Sequence, residues 1–154
     1  MPLSPRKYNI FLLFKVPAAW ICGVRILKIT RESCSTGVRH RWINQNPFKS
    51  MYFAVQAMAA ELSTGALVMN EINTIGKKIS MLVLENNSVF KKKATGKIIF
   101  KCEDGPSIRA AIEKAIETDQ PQDFWTRSAG INEKGEEVSE FNFRWTIKPK
   151  SKAS

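Results

Sequence analysis

The chain has 154 residues, a net charge of +10 and the apolar share of an ordinary soluble globular protein. That length fits one domain and can bury a core without disulfide or metal staples. A single histidine, His40, cannot build a histidine-rich metal site, and no disulfide framework or zinc site can be read from three scattered cysteines without a CxxC pair.

Cys22, Cys34 and Cys102 suit a reducing compartment, and a cytoplasmic location is expected. Residues 4–20 predict a short amphipathic helix lying against the domain, kinked or ended near Pro17. Its apolar run from Tyr8 to Phe14 is far shorter than the roughly 20 residues that span a bilayer. It is also short for a signal peptide, so no membrane partner is expected.

Residues 24–31 predict a strand, and Ser33 to Gly37 a turn. Residues 36–43 alternate and predict a second strand with Val38, His40 and Trp42 on one face. Residues 44–50 are a polar loop, with Ser50 a candidate helix cap. The run from Met51 to Met69 is apolar on every side, which marks a helix wrapped by a core. Its interruptions, Gln56, Glu61, Ser63 and Thr64, would be costly in lipid. Glu61 is the conspicuous one: a carboxylate in a wrapped helix must be paired, protonated or near water. Such carboxylates are the material of general-base sites.

Residues 79–91 predict a long strand with an irregularity at Asn86–Asn87, and Lys97 to Cys102 the next strand. Gly105–Pro106 opens a second helix whose stripe is Ile108, Ala111, Ile112, Ala115 and Ile116. Residues 123–130 predict a strand, Asn132 to Gly135 a hairpin turn, and Phe141 to Ile147 a strand of clean alternation. The organisation is thus an N-terminal helix over 1–20 packed on the domain, one domain over 21–148, and a polar tail over 149–154 expected to be disordered. The fold class is α+β, an antiparallel sheet curled around the wrapped helix.

The run from Asn46 through Glu61, with Phe90-Lys-Lys-Lys-Ala-Thr-Gly-Lys-Ile-Ile-Phe100, resembles the phenylacetyl-CoA-type (PaaI-like) thioesterases, in a poorly characterised branch of that superfamily. The resemblance covers roughly residues 8–148. It implies a hotdog fold, in which a curved antiparallel sheet wraps a central helix. Members of this kind carry a loop Asn, a His-Gly-Gly at the helix start and an acid further along the helix. Asn46 and Glu61 match the first and last, while Tyr52-Phe53-Ala54 stands where His-Gly-Gly would be.

On that resemblance, the N–H groups of Phe53 and Ala54 would stabilise an oxyanion. Glu61 would activate water or attack the carbonyl, Asn46 would hold water or substrate, and Tyr52 would donate through its hydroxyl. Lys91, Lys92 and Lys93 could neutralise the phosphates of coenzyme A. Met51, Met58, Met69 and Met81 could line an acyl pocket, although packing explains them as well. No motif supports a Cys34–His40 nucleophile pair.

The expected function is acyl-CoA or other acyl-thioester hydrolysis. The alternative is a non-catalytic hotdog protein that binds an acyl chain or acyl-CoA. The resemblance implies a homodimer, or two dimers paired as a tetramer. No cofactor or metal is expected. Basic charge attracts anions in general, but no recognition motif or aromatic array points to nucleic acid.

Overall fold

The computed structural model of the chain describes residues 4–150. The apolar run forms α3, Phe53–Ile75, continuing past Gly65 and ending at Gly76, whose left-handed φ of 73° closes the helix. Tyr52 is its N-cap residue, and neither it nor Ser50 supplies a side-chain cap.

Around α3 runs a six-stranded sheet, wholly antiparallel. Its strands are β1 (Arg25–Ile29), β2 (Cys34–Arg39), β3 (Ile79–Phe90), β4 (Lys97–Cys102), β5 (Gln122–Ile131) and β6 (Glu137–Pro149), in the spatial order β1-β2-β4-β5-β6-β3. Alternation puts Phe141, Phe143, Trp145 and Ile147 of β6 inside, where they meet Val55, Ala59, Ala66 and Leu67 of the helix in one core. This is the hotdog architecture that the resemblance implies.

Two N-terminal helices, α1 (Pro5–Lys15) and α2 (Pro17–Ile21), break at Val16 before Pro17. Inward, α1 buries Tyr8 and Leu12. The Asn9 side chain caps the β1 edge, donating to the Ile26 carbonyl and accepting from the Ile26 N–H, each at 2.9 Å. The predicted stripe of α4 (Gly105–Thr118) packs against α3, β5 and β6. Gly105 is required by close approach: a Cβ there would lie 2.1 Å from the Arg31 carbonyl oxygen.

Three expectations are corrected. The second strand begins at Cys34 and stops at Arg39, so the proposed turn at Ser33–Gly37 is mostly strand. Trp42 begins a short 3-10 turn, Trp42–Asn44, with 81% of its surface exposed, and it shares no strand face with Val38. The break in β3 falls between Val83 and Glu85, one bulge earlier than the Asn pair, which instead pairs regularly with β6. At the C-terminus, Pro149 still belongs to β6. The next tail residue, Lys150, donates its N–H to the Lys78 carbonyl at 2.8 Å, and residues 151–154 lie outside the described residues.

Candidate active site

The polar residues of α3 account for themselves one at a time. Ser139 of β6 donates to the Gln56 side-chain oxygen at 2.7 Å. The Ser63 and Ser128 hydroxyls meet at 2.7 Å, and the Trp145 indole donates to the Thr64 hydroxyl at 3.2 Å. Thr36 of β2 donates to the Ala59 carbonyl at 2.7 Å. Each buried hydroxyl or amide thereby avoids the cost of an orphaned polar group, and together they tie the helix to β2, β5 and β6.

Glu61 is the exception. Among the described residues its carboxylate accepts no hydrogen bond and joins no ion pair. It opens onto an apolar cavity of about 210 Å3 lined by Tyr8, Leu12, Ile26, Leu62, Met69 and Met81. Burial there pushes its carboxyl up to about 7. The carboxylate lies beside Gly65 and the Trp145 ring.

The other predicted site residues gather at the start of α3, in an open cleft of about 500 Å3. Asn46, Tyr52, Phe53, Gln56 and Lys91 to Lys93 line it. The Val55 and Gln56 N–H groups both donate to the Tyr52 carbonyl. Among the described residues, the Phe53 and Ala54 N–H groups have no partner, so the helix start keeps two free donors and its positive dipole end. Phe53 stands half exposed over them, edge-on to Tyr52 with ring centroids 5.1 Å apart. The Tyr52 hydroxyl is also free among the described residues.

Asn46 is occupied. Its side-chain oxygen accepts from the N–H groups of Phe48 (2.9 Å) and Ser50 (3.2 Å), and its amide donates to the Ser50 hydroxyl (2.9 Å) and the Met51 carbonyl (3.3 Å). It shapes the loop that delivers the helix start, as an Asx turn does. Buried Asn44 anchors the same loop to the carbonyls of Cys22 and Arg39.

The lysines differ from one another. Lys91 pairs with Glu137 at 2.6 Å, and Lys92 pairs with Glu136. Lys93 reaches only the Phe48 carbonyl, at 3.3 Å, and forms no ion pair among the described residues. Of the methionines expected at an acyl pocket, Met69 and Met81 line the Glu61 cavity, Met51 lines the cleft, and Met58 lines neither. Cys34 opposes Cys102 across β2 and β4, and burial pushes its thiol up to about 12, which makes it no nucleophile.

Sequence reasoning missed the contribution of α1 to the Glu61 cavity, through Tyr8, Phe11, Leu12 and Val16. It also missed the Ser139 contact that orients Gln56. The apolar run before Pro17 was the available signal for the first; nothing local signals the second.

A curved antiparallel sheet wrapped around a central helix defines a hotdog fold. The family model for DUF4442, a domain of unknown function, matches residues 6–147, and the chain belongs to that family. A Pseudomonas aeruginosa protein of unknown function designated a probable thioesterase superposes with a TM-score of 0.83 at 23% identity, covering 97% of this chain and 99% of its own. A Haemophilus influenzae thioesterase gives a TM-score of 0.74 at 9% identity, covering 97% and 93%. A mutant thioesterase from P. aeruginosa gives 0.75 at 12%, covering 97% of each chain. At these identities the likeness establishes the fold. No curated protein matches the chain.

Proposed function

We propose that this protein hydrolyses an acyl thioester, with Glu61 as general base or nucleophile. The observation that carries the reading is that Glu61, among the described residues, is the one non-exposed polar side chain of α3 that lacks a partner, and that it faces a cavity. A carboxylate titrating near 7 is half ionised at neutral pH and poised to take a proton from water. The free Phe53 and Ala54 N–H groups would hold the oxyanion of the tetrahedral intermediate. Tyr52 would add its hydroxyl.

Within one chain, Glu61 stands eight residues beyond Phe53, about 12 Å along the helix axis. The reading therefore requires a homodimer, in which the Glu61 of one copy serves the helix start of the other. Coenzyme A is the thiol carrier favoured by the cleft's lysines, with Lys93 the one free to meet phosphate. The three unpaired cysteines suit a cytoplasmic setting.

A second reading, a non-catalytic acyl or acyl-CoA binder, is favoured by the Phe53 ring at the position where glycine would leave room for the carbonyl. Thiol release from short, long and aromatic acyl-CoA esters separates the two, with Glu61→Gln as the control. Hydrolysis that disappears in the variant supports the first reading. Turnover unchanged in the variant removes Glu61 from catalysis, and saturable binding without hydrolysis selects the second reading.

A further inference from the structure

The first 31 residues of the chain hold six basic side chains and no acidic one. Among the described residues, α1 also exposes more large apolar side chains than any other helix. With Tyr8 and Leu12 turned inward, the 100° step of an α-helix sends Ile10, Leu13 and Phe14 outward, and Phe14 is 73% exposed. Ile21 of α2 adds to this patch at 61% exposure. Arg6 and Lys7 share the outward side of α1 near its N-terminus, and Lys15 lies at its C-terminal end. Lys28, on the neighbouring β1, is exposed as well.

We propose that α1 and α2 dock this protein onto the surface of an anionic bilayer, Ile10, Leu13, Phe14 and Ile21 entering the headgroup–acyl boundary while Arg6, Lys7 and Lys15 meet the acidic headgroups. Apolar side chains bordered by cations are the make-up of helices that lie in a membrane interface. Charge selects lipid over a second copy of the chain as the occupant. A two-fold contact through this face would set Arg6, Lys7 and Lys15 of one copy against the same cations of the other, with no carboxylate in the segment to offset them. Among the described residues no helix is long and apolar enough to cross a membrane, and the proposal concerns surface contact alone. The expectation of no membrane partner rested on the want of a spanning segment, which surface contact does not require.

Docking has a geometric consequence. The opposite side of α1 supplies Tyr8, Leu12 and Val16 to the wall of the Glu61 cavity, so a single helix separates that cavity from the lipid. The proposal stands whether or not Glu61 hydrolyses anything.

Co-sedimentation of the full chain with vesicles tests it, comparing phosphatidylcholine alone with phosphatidylcholine containing about 30% phosphatidylserine. Binding to the anionic vesicles alone, lost as salt rises towards about 0.5 M, is the expected result. Leu13→Ser with Phe14→Ser should weaken it roughly tenfold, since both side chains face outward and their loss leaves the core intact. Arg6→Glu with Lys7→Glu should weaken it comparably. Circular dichroism and light scattering on each variant report fold and oligomeric state. No binding to anionic vesicles, equal binding to both kinds, or binding unaffected in both variants would overturn the proposal. So would a serine variant that stays folded but splits an oligomer, because the face then belongs to a second copy.

Discussion

A Cβ added to Gly65 would stand 3.0 Å from an Oε atom of Glu61 and 3.1 Å from the Trp145 ring. The absent side chain thus makes the space in which the carboxylate rests. Alanine at 65 should gain about 1 kcal/mol of helix propensity and lose a similar amount to crowding. Calorimetry of Gly65→Ala should accordingly show little change in stability. The displaced carboxylate should lower thioester turnover by roughly ten- to a hundredfold. Full activity in this variant would detach the position of Glu61 from the chemistry.

Glu61 also makes stability depend on pH. Its carboxyl titrates near 7 in the folded chain, against an ordinary value of 4.5. Between those values the native state holds a proton that the unfolded state has released, so stability falls as pH rises. The contribution is fully present below about 4.5 and is lost as pH passes through about 7. The loss is on the order of 3 kcal/mol. Denaturant melts of wild type and Glu61→Gln across this window should diverge, with the variant ahead at high pH. Hydrolysis by wild type should rise through the same pH range, because the base must be ionised.

The Ser63–Ser128 pair gives a cleaner energetic test. Ser63→Ala orphans the buried Ser128 hydroxyl and should cost about 1–3 kcal/mol, whereas Ser128→Ala leaves Ser63 its bond to the Ala60 carbonyl and should cost less. The double variant removes both polar groups and should cost less than the two single losses together. Additive losses in a double-mutant cycle would mean that the hydroxyls do not act as a pair.

Glu71, 2% exposed, is gripped by Arg31 at 2.5 Å and Arg109 at 3.2 Å. The three side chains join the end of α3 to the loop after β1 and to α4. Glu71→Gln leaves two partly exposed guanidiniums that water can solvate. Arg31→Ala with Arg109→Ala leaves a buried unpaired carboxylate and should cost about 3–5 kcal/mol, more than the Gln variant. Urea melts rank the two, and the reverse order would refute the account.

The central helix was legible because an apolar run of that length has few alternatives, and Glu61 stood out because a carboxylate there had no obvious reason to be buried. The α4 stripe and the alternation of β6 were legible from their periods. Trp42 misled because alternation continued in the sequence past Arg39, where Asn44 turns the chain by bonding to the Cys22 and Arg39 carbonyls. Asn46 was found, but its saturation by loop groups depends on backbone turns that spacing does not disclose. The three lysines read alike in sequence. Only the return of β6 beside them, with Glu136 and Glu137, leaves Lys93 different from its neighbours.

Asn9 has a consequence for growth of the sheet. By occupying both backbone groups of Ile26, it denies the outer edge of β1 to any incoming strand. The opposite edge, β3, is twelve residues long and pairs only with β6, leaving its outer row of backbone groups open. A ribbon with one blocked and one open border can add a like ribbon once, border to border, and then has nothing left to offer. Assembly through strand pairing would then use β3 and stop at two copies, with Asn9 and the helix that carries it guarding the other border against the open-ended stacking that leads to fibres.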